Sequence, residues 1–287
     1  MKRLFPGNFE PTKQDILKIW DDCTLILDSS VFLSLYSNPT EDAISLINVI
    51  HQYQDLIWIP YQAAKIYLDK RDHLIAEKAS ELKEFKESFD ENIQLLTKRF
   101  ARCKNPIIHD LSHDLEDFSP IIEHFEKSMD KRLKQYMEVT AKIIQDKLND
   151  VLDEDSMGVP VPYQVLDNLQ EEADRRESYH LPPFIHHEEV GLKMYQSLLQ
   201  WIQIVSYVKN ERKPALFITA DHPNDWWESV GQNKFTSRPE LINELNSELR
   251  VFFHIIDIST FLEVAKEVES REKSQAIEIG NKAVMAT

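Results

Sequence analysis

Four short apolar runs, each bounded by polar residues, punctuate a chain that is otherwise patterned for helices. They are Leu25–Leu27, Leu56–Ile59, Ala215–Thr219 and Val251–Ile256. Runs this short, rich in Leu, Ile, Val and Phe, suit strands buried on both faces. Between them the apolar positions recur at spacings of three and four. Lys13–Asp22 turns Ile16, Leu17, Ile19 and Trp20 to one side, and the stretch after Thr40 does the same with Ile44, Leu46, Ile47 and Ile50. A helix after Pro60 carries Ala63, Ile66, Tyr67 and Ile75. Strand, helix, strand in alternation predicts an α/β fold with a central, mainly parallel sheet and right-handed crossovers.

From about residue 76 the strand pattern stops. Leu82, Phe85, Phe89, Ile93, Leu96 and Phe100 mark one long amphipathic helix. Asn105-Pro106 breaks it, and a polar loop through His109, His113 and Asp117 is expected to come next. Ser119-Pro120 reads as an N-cap and first helical residue, opening a second helix with Ile122, Phe125, Met129, Leu133, Tyr136, Ile143 and Leu148 inward. The two should form an antiparallel arm in which Phe85, Phe89 and Ile93 pack against Phe125, Met129 and Leu133. A third helix, Tyr163–Glu177, mixes acidic and basic residues; a fourth, Glu188–Lys209, leads into the third strand. The expected organisation is one α/β domain from 1–75 and 178–270, a helical insertion at 76–177 and a frayed or disordered tail at 271–287.

Composition narrows the setting. The chain has 287 residues, 42% hydrophobic, enough to bury a full core, and a formal net charge of −16. Such acidity opposes non-specific binding to phosphate backbones without excluding a local groove that takes nucleic acid. It also suits a soluble protein that binds a basic partner, and the helical arm offers a surface for a protein partner or a homo-oligomer. Cys23 and Cys103 show neither a disulfide framework nor zinc spacing, which fits a reducing cytoplasm. No apolar run approaches the ~20 residues of a membrane span, so no membrane is expected.

Asp28 is the first candidate for chemistry. It comes directly after the first strand, where open parallel sheets bind ligands, and precedes Ser29-Ser30 and a helix. It can equally be the helix cap. With the surrounding blocks, the chain resembles the PIN-like nucleases, in particular a bacterial branch with a long helical insertion. The likeness runs through Leu4-Phe5-Pro6-Gly7, Leu27-Asp28-Ser29-Ser30-Val31 and Trp58-Ile59-Pro60 with Tyr67 and Arg71. It resumes at Pro182-Pro183, Trp201, Phe217-Ile218-Thr219-Ala220-Asp221, Asp225-Trp226-Trp227 and Arg238-Pro239-Glu240-Leu241.

The resemblance implies four acids holding Mg²⁺ or Mn²⁺, which polarises the phosphate and supplies hydroxide. Asp28 and Asp221 match two of them and are the implied metal ligands; Asp225 joins them in the catalytic set. The other two positions carry Ile66 and Ser197. Asp69, Glu188 and Glu189 are nearby acids that could substitute, and Arg71, Trp226 and Trp227 are candidates for contacting substrate. Arg71 could instead pair with an acid. His186-His187 beside Glu188-Glu189 offers two zinc-ligand types without a third at fixed spacing. With two of four acids replaced, the expectation is a degenerate nuclease, weak or inactive, serving as a binding or regulatory subunit. The resemblance adds a setting in bacterial phage defence. The alternative is an active Mg²⁺- or Mn²⁺-dependent nuclease.

Overall fold

The computed structural model describes residue 1 and residues 4–153, 155–183, 194–232 and 234–285; within 106–117 and 275–285 it describes the backbone alone. Two compact units emerge. Met1–Asp69 with Leu148–Thr287 forms the first, and Lys70–Lys147 the second.

The first unit begins with a short turn at Pro6–Asn8. A side chain on Gly7 would put a Cβ 2.4 Å from the Pro239 carbonyl oxygen, and the Gly7 N–H donates to Asn243 Oδ1 at 2.9 Å. Helix α1 (Lys13–Leu17) opens on a capping box of Thr12 and Asp15. It is shorter than the predicted Lys13–Asp22 helix, whose last residues form a separate tight turn at Trp20–Asp22. Strand β1 (Thr24–Leu27) comes next, every residue buried. Beside it Cys23 is buried, its thiol pKa pushed up to about 12 by burial. Helices α2 (Ser29–Ser34) and α3 (Thr40–Gln52) lead to strand β2 (Ile57–Trp58). Ile59, expected inside that strand, makes a lone bridge with Met157.

Helix α4 (Tyr61–Arg102) leaves the sheet and enters the second unit, where α5 (Pro106–Gln135) returns antiparallel to it. Phe89 meets Phe125 with ring centroids 5.1 Å apart, and Lys86 binds Asp130 at 2.7 Å. The polar loop expected around His109 and His113 is helical backbone, and Pro120 lies inside α5 instead of opening it. Pro106 supplies the first-turn proline; Pro120 then costs the helix one internal hydrogen bond without ending it. A π-helical turn at Tyr136–Thr140 separates α5 from α6 (Ala141–Val151). The apolar faces of the arm are closed only in part: Met129 is buried, whereas Phe85 and Phe125 remain exposed.

The second compact unit closes at Lys147, and the chain from Leu148 joins the first. The reason lies in α7 (Tyr163–Asp167) and α8 (Leu169–Ser178), which break at Asn168 where one helix was expected. Leu169 and Ala173 pack with Tyr195, Leu198 and Leu199 in the first unit. Arg176, 3% exposed, binds Glu172 at 2.7 Å and Glu244 at 2.6 Å and also donates to the Pro182 carbonyl.

The chain then closes the sheet. Helix α9 is described over Gln196–Glu211 and leads to β3 (Ala215–Thr219). A hairpin absent from the sequence reading, β4 (Trp227–Ser229) and β5 (Phe235–Ser237), comes next. Helix α10 (Pro239–Leu249) precedes β6 (Phe253–Asp257). Helix α11 continues from Ile258 to Met285, through the predicted frayed tail. The strands pair in parallel in the order β2-β1-β3-β6. Trp201, Phe217, Trp226, Leu241 and Phe253 pack one face into a core. No helix among the described residues is long and apolar enough to cross a membrane.

Candidate functional site

Register places the site. Leu27 on β1 stands opposite Ile218 on β3, so the residues just beyond each emerge side by side at the carboxyl end of the sheet. The Asp28 N–H extends the pairing by donating to Ile218 O at 3.0 Å. Asp28 and Asp221 are thus brought together by adjacent strands.

Asp28 is the N-cap of α2, the second of its two sequence readings: its side chain accepts the Ser30 N–H at 3.0 Å. The Ser30 hydroxyl donates to the same oxygen at 2.5 Å and accepts the Ala220 N–H at 3.0 Å, tying the β1 end to the β3 end. The other Asp28 oxygen accepts the Gln200 amide at 2.8 Å and a longer contact from the Ser29 hydroxyl at 3.5 Å. Asp28 is 5% exposed and Gln200 2%. A carboxylate offers about four acceptor positions; here four protein donors address them. These donors are neutral, so the carboxylate is stabilised by hydrogen bonds where a cation was expected.

Asp221 keeps solvent contact, yet its pKa is raised. Enclosure of the carboxyl by the crevice is the larger cause, and the charge of Asp28 is the next. The Ser30 hydroxyl acts in the opposite sense. Behind it, Thr219 donates to the Asp221 carbonyl at 2.9 Å and accepts the Trp227 indole N–H at 2.9 Å. A raised folded pKa contributes stability below the ordinary carboxylate value and loses it as pH rises through the folded value. Asp221→Asn should therefore raise the melting temperature at pH 7, and the gain should shrink as pH falls through the raised folded value and be gone below about 4. A melting series across that range checks this; a loss of stability at pH 7 would show that ionised Asp221 is held favourably.

The other positions are less regular. Ser197, where an acid was expected, donates to Asp225 Oδ2 at 2.6 Å. Ile66 is buried on the second turn of α4, next to Tyr67, whose hydroxyl meets that of Tyr36 at 3.0 Å. Asp69 is exposed and paired with Lys65 at 2.6 Å. Arg71, in the second unit, binds its neighbour Asp72 at 2.8 Å and draws that carboxyl's pKa down. Trp226 and Trp227 are both buried, Trp226 edge-on to Phe217 at 5.1 Å, so neither offers the open ring face that stacking on a base needs. His186, His187, Glu188 and Glu189 lie outside the described residues, as do the side chains of His109 and His113.

The sequence reading missed Ser30, Gln200 and His222. Gln196, Gln200 and Gln203 share one face of the otherwise apolar α9, a polar stripe that could have flagged Gln200. Gln203 accepts the Gln62 N–H at 2.9 Å and donates to Val159 O at 3.0 Å, fixing the first turn of α4. His222 stacks on Phe235 at 4.6 Å, with its Nε2 3.8 Å from an Asp257 oxygen. Phe235 is exposed, and no signal in the sequence marks it.

Comparison with known proteins agrees with this architecture. Residues 24–241 match the family described as the PIN like domain, and the chain belongs to that family. No curated protein and no solved structure matches. PIN-like domains are generally metal-dependent, with Mg²⁺ or Mn²⁺ the ions implied here. Among the described residues no group of three or more His, Cys, Asp or Glu side chains could hold a metal ion. The Asp28 oxygens already accept protein donors, and the Gln200 amide faces Asp28 with an N–H. The described residues do not fit the metal.

Proposed function

We propose that this PIN-like protein is a degenerate nuclease that acts as a binding or regulatory subunit, with little or no cleavage of its own. The observation that carries the reading is the Asp28 carboxylate, accepting Ser30 and Gln200 donors at 2.5–3.0 Å. A ligand carboxylate needs free lone pairs directed at the ion. Ile66 and the Ser197–Asp225 hydrogen bond support the same conclusion, because both occupy positions where the family resemblance implies acids. A setting in bacterial phage defence belongs to this proposal through the resemblance.

The alternative, an active Mg²⁺- or Mn²⁺-dependent nuclease acting on RNA or DNA, is favoured by the pairing of Asp28 with Asp221. Their repulsion is what a bound cation would relieve.

Thermal unfolding with millimolar Mn²⁺ separates the two, since a ligand bound only to the folded state must raise the melting temperature. The expected result is no rise and no Mn²⁺-dependent cleavage of labelled RNA or DNA. The combined change Ile66→Glu with Ser197→Asp should introduce a Mn²⁺ response that Asp28→Asn abolishes. Cleavage by the unmodified chain, lost in Asp28→Asn or Asp221→Asn, would instead establish the active nuclease.

A further inference from the structure

The arm carries an apolar face that the unit itself does not cover. Phe118, Ile121 and Phe125 lie on one side of α5 at spacings of three and four, and are 53%, 62% and 44% exposed. The Phe89–Phe125 and Lys86–Asp130 contacts fix the register of α4 against α5. That register sets Leu96 opposite Phe118 and Phe85 opposite Met129. Leu96 is 45% exposed and Phe85 56%, so the seam is open along both helices. Among the described side chains it closes toward the other end, where Ala79, Met129 and Ala141 are buried.

We propose that this seam is the interface for a second copy of the chain, the two arms joining as a four-helix bundle about a two-fold axis. The same stripe on each copy is complementary to itself, as an isologous contact requires, and two-helix hairpins complete a core by pairing in this way. Charge selects the arm for the role. Lys70–Lys147 holds 15 Lys and Arg against 16 Asp and Glu, whereas the rest of the chain holds 18 against 33. Two arms can approach without net repulsion; two α/β units cannot. The area is sufficient. An aromatic side chain presents ~150–250 Å², so the five half-open side chains leave roughly 500 Å² of apolar surface per copy. That matches the ~300–600 Å² of the largest patch on a typical monomer, which is often a functional one. Doubled, and with its polar margins, it reaches the ~1,200–2,000 Å² of a stable interface. The inference is independent of whether the crevice binds metal.

Sedimentation of the full chain tests it. At micromolar concentration the mass should be twice the 33.7 kDa of one chain and fall on dilution. Ile121→Asp and Phe118→Asp place a charge at already exposed positions, so helical ellipticity should be unchanged. Each is repeated on both sides of the axis and should raise the dissociation constant roughly a hundredfold. Ile121→Ser, a neutral change, should raise it about tenfold and guards against a folding defect in the charged variants. A wild-type chain that stays monomeric across the range overturns the proposal, whatever other protein or nucleic acid it binds. So does a dimer indifferent to all three changes.

Discussion

Asp28→Ala should lower the unfolding free energy by about 3 kcal/mol in the presence of EDTA. Loss of the α2 cap accounts for about 1 kcal/mol. The Gln200 amide, 2% exposed, is left without its partner, and a stranded buried donor costs about 1–3 kcal/mol. Relief of repulsion from Asp221 offsets a part, reduced because Asp221 retains solvent contact. Urea unfolding should show a lower midpoint at unchanged slope. The opposite sign, a more stable variant in EDTA, is what two carboxylates waiting for a cation would give. The experiment therefore separates a carboxylate that holds the fold from one that holds a metal.

Arg176→Ala should cost more, about 3–5 kcal/mol, the range for breaking a buried ion pair by removing one partner. Its guanidinium joins Glu172 on its own helix to Glu244 on α10 and to the Pro182 carbonyl, and Trp201 Nε1 donates to the same Glu244 oxygen at 3.3 Å. Removing the cation takes the ion pair from Glu244 and strands the Pro182 carbonyl, while Glu172 keeps Arg175 at 2.7 Å. Arg176→Lys keeps the charge and loses the planar fork, so its loss should be smaller yet measurable. Calorimetry of the three proteins checks the order. Equal melting temperatures would mean that the cluster is solvated and dispensable.

The sheet was legible because its strands are buried on both faces. Leu25–Leu27 and Ala215–Thr219 have no polar alternation to confuse with a helix, and the structure keeps those limits within a residue. Asp28 was legible from its place at the end of the first strand and Asp221 through the family resemblance; parallel strands deliver the residues at their carboxyl ends to one edge of the sheet. The short hairpin was not legible. Its three-residue strands around Glu228 and Thr236 are half exposed and carry no period that distinguishes them from a loop. Arg176 was hidden because a charged residue in a mixed-charge helix reads as solvated, and only the partners from α10 and the Pro182 segment bury it. Pro120 misled in the opposite direction. A serine before a proline has the form of a helix start, and the helix begun at Pro106 simply continues through it. Gln200 could be placed on a polar stripe of α9, but its meeting with Asp28 depends on contact across 172 positions.

The strand order has a consequence for biosynthesis. Strand β1 finds its β3 neighbour through the pair Thr24–Ala215, so one central strand leaves the ribosome 191 residues before the other. At ~5–20 residues per second, roughly 10–40 s separate their emergence. During that interval β1 has only the two-residue β2 to pair with, while the antiparallel arm, whose contacts are local, is already complete. Nascent chains arrested before residue 215 should therefore carry a protease-resistant arm and a protease-sensitive, chaperone-binding N-terminal segment, and resistance should appear at Leu25–Leu27 only once β3 has cleared the exit tunnel.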